Sequence, residues 1–98
     1  MAIDEIKEKL IPIAKTYNIA KLALFGSFAR GEGVAHSDLD IIVEKGENPQ
    51  LKGLGFISFW NSLEEASGKS VDLVTYSSLE RSFLQAYAMK DEVVIYER

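Results

Sequence analysis

The run Asp38-Leu39-Asp40-Ile41-Ile42-Val43 places two alternate aspartates at the head of an apolar segment. Side chains alternate across a pleated strand, so residues i and i+2 share a face and both carboxylates point the same way. Asp40 lies among Leu39, Ile41, Ile42 and Val43, the pattern of a strand covered on both faces. An unpaired carboxylate there costs several kcal/mol. A lone Asp-x-Asp pair is most simply a solvated strand start, but this one opens a buried strand, and a bound metal ion would remove the conflict.

The surrounding segments can be ordered from periodicity. Ile3, Ile6, Leu10, Ile13 and Tyr17 recur at helical spacing, with Pro12 expected to kink the helix or divide it near Ile11 and Asn18 to stop it. Lys21–Phe25 reads as a short buried strand running into the turn Gly26-Ser27, after which Phe28-Ala29-Arg30 makes about one helical turn before the glycines Gly31 and Gly33. The second strand is Asp38–Glu44, and Lys45–Lys52 is loop. Phe56, Phe59, Trp60, Leu63 and Ala66 form a helical face from about Leu54 to Ser67, which Gly68 ends. Ser70–Tyr76 is a third strand, with Val71 and Leu73 on one face and Asp72 and Val74 on the other. Ser77 and Glu80 have capping-box spacing for a last helix to about Met89, and Val93–Tyr96 is an edge strand.

Chemistry constrains the topology further. Ser27 follows the first strand and Asp38 opens the second, so both reach one site only if these strands run antiparallel. Asp72, early in the third strand, reaches the same end only if strands two and three are parallel, and the intervening helix is the crossover such a pair requires. The expected fold class is α/β (α+β), a mixed β-sheet backed by helices, in one domain over residues 1–98.

The alternate aspartates, with Cα atoms about 6.6–6.8 Å apart, suit ions separated by about 3.5–4 Å. Mg2+ is the natural ion, since it takes oxygen ligands and relies on one or two carboxylates plus substrate phosphates. Asp72 offers a third carboxylate, as a metal ligand or as acceptor of a hydroxyl proton. Glu44 and Glu47 also follow the pair, and Asp72 is preferred for its strand context. A helix N-terminus beside a small hydroxyl binds phosphate, so Gly26 and Ser27 are candidate phosphate-binding residues. Arg30, on the same helical face as Ser27, could clamp a phosphate or stabilise a leaving pyrophosphate. Taken singly, Gly-Ser is a tight turn and Arg30 a surface arginine.

Gly26-Ser27, ten residues, Asp38-x-Asp40, and the later Val71-Asp72-Leu73 together resemble the nucleotidyltransferases of the DNA polymerase beta-like superfamily. The wording Phe25-Gly26-Ser27-Phe28-Ala29-Arg30-Gly31 with Ser37-Asp38-Leu39-Asp40-Ile41-Ile42-Val43 resembles the minimal nucleotidyltransferases over nearly the whole chain. The resemblance implies a polymerase beta-like fold, two Mg2+ ions held by the aspartates, a nucleoside triphosphate at the Gly-Ser turn, and transfer of a nucleoside monophosphate to a hydroxyl. It also implies a HEPN-domain toxin as partner in a hetero-oligomer, with AMP passing from ATP to a tyrosine of that toxin. The alternatives are a binding module that neutralises its partner by occupying it, and transfer to a small molecule or an RNA end.

Composition narrows these options. A net charge of −4 and a pI near 4.9 disfavour polymeric nucleic acid as partner. No apolar run suits a membrane span, the start lacks a signal-peptide pattern, and the absence of cysteine agrees with a cytoplasmic location. His36 is the sole histidine, and a loop histidine is more often exposed than a ligand. Gly53-x-Gly55 lacks the strand and third glycine of a dinucleotide site, and there is no Walker A ending. Phe56, Phe59 and Trp60 are assigned to packing on the sheet, while Ile57, off that stripe, could meet a second chain. Lys45, Lys52 and Lys69 are treated as surface lysines rather than phosphate ligands.

Overall fold

The computed structural model describes residues 2–31, 38–47, 49–80 and 90–98. The chain runs α1 (Ile3–Thr16), β1 (Lys21–Phe25), α2 (Gly26–Ala29), β2 (Leu39–Glu44), a 3-10 turn (Pro49–Leu51), α3 (Leu54–Ser67), β3 (Val71–Thr75), α4 (Tyr76–Glu80) and β4 (Val93–Glu97). His36 and Gly33, and the expected continuation of the last helix to Met89, lie outside the described residues.

The strands form one sheet in the order β3-β2-β1-β4. β1 is antiparallel to both β2 and β4, and β2 is parallel to β3. These are the directions that the placement of Ser27, Asp38 and Asp72 requires, and β4 is an edge strand as expected. α3 is the crossover between the parallel pair.

One face of the sheet carries the core. Leu22, Leu24, Leu39, Ile41, Val43, Val71, Leu73 and Ile95 pack against Ile6, Leu10 and Ala14 of α1 and Phe59 and Leu63 of α3. Tyr17 meets the Phe59 ring edge-on with centroids 5.3 Å apart, joining the two helices. On the opposite face a smaller cluster gathers Phe25, Val74 and Tyr76 around the fully buried Ile42.

The first helix is not divided near Ile11. It runs unbroken through Pro12. Pro12 and Glu8 are both exposed, so the Glu8 carbonyl that loses its intrahelical donor can be hydrated, and the break is not forced. The helix ends as expected at Asn18, whose φ is +53°. The Asn18 N–H donates to the Lys15 carbonyl at 3.1 Å and the Ile19 N–H to the Ala14 carbonyl at 3.2 Å, a Schellman closure that also buries Ile19 against Ala14.

The cap of α4 also differs. The expected cap, Ser77, is inside the helix, and Thr75 takes its place: its Oγ1 accepts from the Ser78 N–H at 3.1 Å. Strand β3 thus ends directly on its own capping residue. None of the helices among the described residues is long and apolar enough to cross a membrane.

Candidate active site

The carboxylates meet at the end of the sheet where β1 finishes and β2 and β3 begin. In the strand register Asp40 lies opposite Phe25 of β1 on one side and Asp72 of β3 on the other. Asp38, two positions before Asp40, extends the same face beyond the strand. This is the face of Ile42 and Val74, away from the α1–α3 core.

β3 is fixed at its first residue. The Trp60 indole N–H donates to the Val71 carbonyl at 2.8 Å, and the Val71 N–H donates to Glu64 Oε2 at 2.9 Å. On the other side the Leu39 N–H donates to the Ser70 carbonyl at 2.9 Å. Asp72, the next residue along, therefore projects from a backbone tied both to α3 and to β2. Trp60 was assigned to packing, and it does pack, but its N–H also sets the height of Asp72 on the sheet.

Gly26 follows Phe25 with φ +73°, a conformation that a residue with Cβ adopts only under strain. It also lies against the side chain of Asp40, so that a Cβ at this position would collide with the carboxylate Oδ2. Glycine is required twice here, for the backbone angle and for the close approach. The turn opens α2, with Ser27 as its second residue, and Arg30 caps its C-terminal end.

Electrostatics mark Asp40 as the centre of the group. Burial raises its carboxyl above the ordinary carboxylate range, repulsion from Asp72 and then Asp38 raises it further, and Arg30 opposes them. Asp40 is partly buried, whereas Asp38 and Asp72 are exposed. Among the described residues no three acidic or histidine side chains stand in an arrangement ready to hold a metal ion. The expected set of Asp38, Asp40 and Asp72 is thus brought to one face and one end without closing into a ligand cluster, as mutual repulsion between carboxylates favours. The donor chemistry nevertheless fits a hard divalent cation: all the candidate donors are carboxylate oxygens, and the strain on Asp40 is what a cation would relieve.

Two cations border the group. The Arg30 guanidinium pairs with Asp91, Nη1 to Oδ2 at 3.1 Å. Lys69, set aside as a surface lysine, lies two residues before β3 with its Nζ 5.1 Å from the centroid of the Phe28 ring of α2, at the same end as the aspartates. Lys45 is elsewhere: it follows β2 and lies over the Phe56 ring at 5.1 Å. With Lys52, Pro49 and Leu51 it lines an open concavity of about 510 Å³ at the far end of β2 from the carboxylates. Glu44 and Glu47 belong to that far end too, which leaves Asp72 as the third carboxylate near the pair. Asp91 had no local signal in the sequence, because it is brought to Arg30 only by the pairing of β4 with β1.

Residues 8–98 match the family described as Polymerase beta, Nucleotidyltransferase. A chain of Methanocaldococcus jannaschii, provisionally named a protein adenylyltransferase, is 44% identical over 79 residues, covering 81% of this chain and 83% of its own length. A toxin–antitoxin crystal structure with AMP-PNP superposes with a TM-score of 0.71 at 21% identity, over 94% of this chain and 73% of that one. The complex of a tri-AMPylated Shewanella oneidensis HEPN toxin with its MNT antitoxin gives a TM-score of 0.68 at 19% identity, over 97% and 72%. At these identities the structural likeness is one of fold. The fold, the shared sequence and the carboxylate end of the sheet agree: this chain belongs to the polymerase beta-type nucleotidyltransferases, as a minimal member of that enzyme family.

Proposed function

We propose that this chain transfers AMP from ATP to a tyrosine hydroxyl of a HEPN-type partner protein and thereby acts as the antitoxin of a cytoplasmic toxin–antitoxin pair. The observation that carries the chemistry is the pairing of Asp40 with Asp72 on two parallel strands, with Asp38 just ahead of them and Asp40 against the Gly26 turn. The choice of nucleotide and acceptor is supported by the relatives: one carries the name of a protein adenylyltransferase, one neighbour binds AMP-PNP, and another is complexed with an AMPylated HEPN toxin.

Asp38, Asp40 and Asp72 would hold two Mg2+ ions, which supply charge neutralisation of the triphosphate and of the charge that develops during transfer. The Gly26-Ser27 turn receives the phosphates, and the missing Cβ at Gly26 leaves room for the Asp40 carboxylate beside that turn. Arg30 stabilises charge on the pyrophosphate as it leaves. The acceptor oxygen forms a bond to the α-phosphorus while the bond from that phosphorus to the bridging oxygen breaks. The hydroxyl proton passes to the Asp72 carboxylate, which its exposed position leaves open to an incoming side chain. Burial raises the Asp40 carboxyl, and its ionised form is the one the reaction needs.

The test is transfer of label from ATP, with Mg2+, to the protein encoded beside this chain, which this reading expects to be of HEPN type. Labelling is expected, and Asp38→Ala or Asp40→Ala should reduce it by about 10²-fold or more. Persistent labelling in both variants would overturn the assignment of the carboxylates. Neutralisation of the partner by an Asp38→Asn/Asp40→Asn chain that transfers nothing would show instead a module acting by occlusion.

A further inference from the structure

Arg30 caps α2, the helical turn that follows the end of β1, and β1 is an inner strand of the sheet. β2, with Asp40, lies on one side of β1, and β4 lies on the other. The guanidinium is near enough to Asp40 to oppose the rise in its carboxyl, yet its 3.1 Å contact is with Asp91, on the β4 side. Left to electrostatics alone, a guanidinium at this position would turn to the side that holds three carboxylates.

Asp91 is mounted on an anchored segment. The next residue, Glu92, accepts from the Tyr76 hydroxyl at 2.6 Å through Oε2 and pairs with Lys21 Nζ at 3.5 Å through Oε1. Lys21 also lies over the Tyr76 ring, 5.0 Å from its centroid. Burial and the bond to Glu92 hold the Tyr76 hydroxyl above the usual phenol range, so the donor stays protonated. β4 begins at the following residue, and Val93 pairs with Leu24. Glu92 is thus held by Tyr76 and Lys21, and the β1–β4 ladder begins one residue later, so Asp91 follows directly on from a fixed neighbour at the level of the Gly26 turn.

We propose that Asp91 is a positioning residue: it holds the Arg30 guanidinium on the β4 side of β1, off Asp38, Asp40 and Asp72, so that those carboxylates stay open to a divalent cation. The proposal rests on the reading of these carboxylates as the cation site. Arg30 and Asp91 retain 35% and 23% of their side-chain exposure, so their pair is weak and yields readily to a triphosphate. Without it, the guanidinium loses its hold on the β4 side, and the balance shifts toward the carboxylates, where it competes with the cation.

Mn2+ binding to the full chain without nucleotide, followed by the loss of free-ion signal in electron paramagnetic resonance, tests this directly. Asp91→Asn should weaken Mn2+ binding about two- to five-fold. Asp91→Glu, which keeps the charge, should recover most of that loss and guards against a folding defect in the asparagine variant. In an Arg30→Gln chain the same Asp91→Asn change should leave Mn2+ affinity unaltered. Equal losses in both backgrounds would mean that Asp91 is only one more negative charge, and unchanged binding in Asp91→Asn would mean that it holds nothing in place. Either overturns the proposal. If wild type and Asp38→Asn/Asp40→Asn bind Mn2+ alike, the cation site itself is wrong and this inference falls with it, an outcome distinct from the other two.

Discussion

On one face of β2, Leu39, Ile41 and Val43 are sealed beneath α1 and α3; on the other, Asp40 shares its row with Asp72 and lies against the backbone of Gly26. The two sets alternate along six residues of one strand. The first face does what burial of apolar surface does in any small domain. The second collects like charges, one of them partly desolvated, and so opposes folding of the free chain. Evolution of a pure scaffold has no use for such a row. The stability of the first face is what allows the second to keep a charge arrangement that does not serve the fold.

The largest break in this contrast comes from the apolar side. Phe59 is fully buried between the sheet and Tyr17, so Phe59→Ala should destabilise the domain by about 3–5 kcal/mol. Urea unfolding should show the loss, and a change below 1 kcal/mol would mean that the α3 packing is not the main support. Gly26→Ala comes next. Gly26 and Gly68 both have positive φ, and for each the alanine costs about 1–2 kcal/mol from the backbone alone. A Cβ at Gly68 meets nothing within 4 Å, whereas one at Gly26 strikes Asp40. Gly26→Ala should therefore cost more than Gly68→Ala, and most of the excess should vanish when Asp40→Ala is added, which leaves only the Cβ of residue 40 at 3.3 Å. An equal cost in the two single variants would sever the Gly26 turn from the carboxylate row.

Much of this arrangement was legible from residues whose cause is local. Lys21–Phe25 and the helix from Leu54 to Ser67 follow from periodicity and from the stop at Gly68. The antiparallel and parallel strand directions followed from asking Ser27, Asp38 and Asp72 to reach one end. What misled was local chemistry that its surroundings override. Pro12 does not divide α1 because it and Glu8 both lie at exposed positions of the helix, and Thr75 displaced Ser77 as cap because β3 runs straight into α4. Asp91 could not be found at all, since it is 61 positions from Arg30 and meets it only after β4 has paired with β1. Lys69 looked like any other surface lysine until the start of β3 was set beside α2.

The smallest expected effect has the opposite sign to the others and comes from the acidic row. The native carboxyl of Asp40 lies above its unfolded value because of burial, then Asp72, then Asp38. A raised carboxyl means that the folded chain holds this proton more tightly than the unfolded chain does, so the stability it lends is fully present below the ordinary aspartate range, about pH 4, and is lost as pH rises through the native value. Asp40→Asn has no proton to lose. Measured by urea unfolding in the presence of a chelator, the stability of Asp40→Asn relative to wild type should increase from acid pH upward and level off once the native carboxyl has ionised. A difference independent of pH would mean that Asp40 titrates normally and that the row is not strained. Added Mn2+ should reverse the order near neutral pH, because a cation bound only by the folded wild type stabilises it by mass action while the asparagine variant gains less. The residue that weakens the free fold would then be the one that strengthens the loaded one.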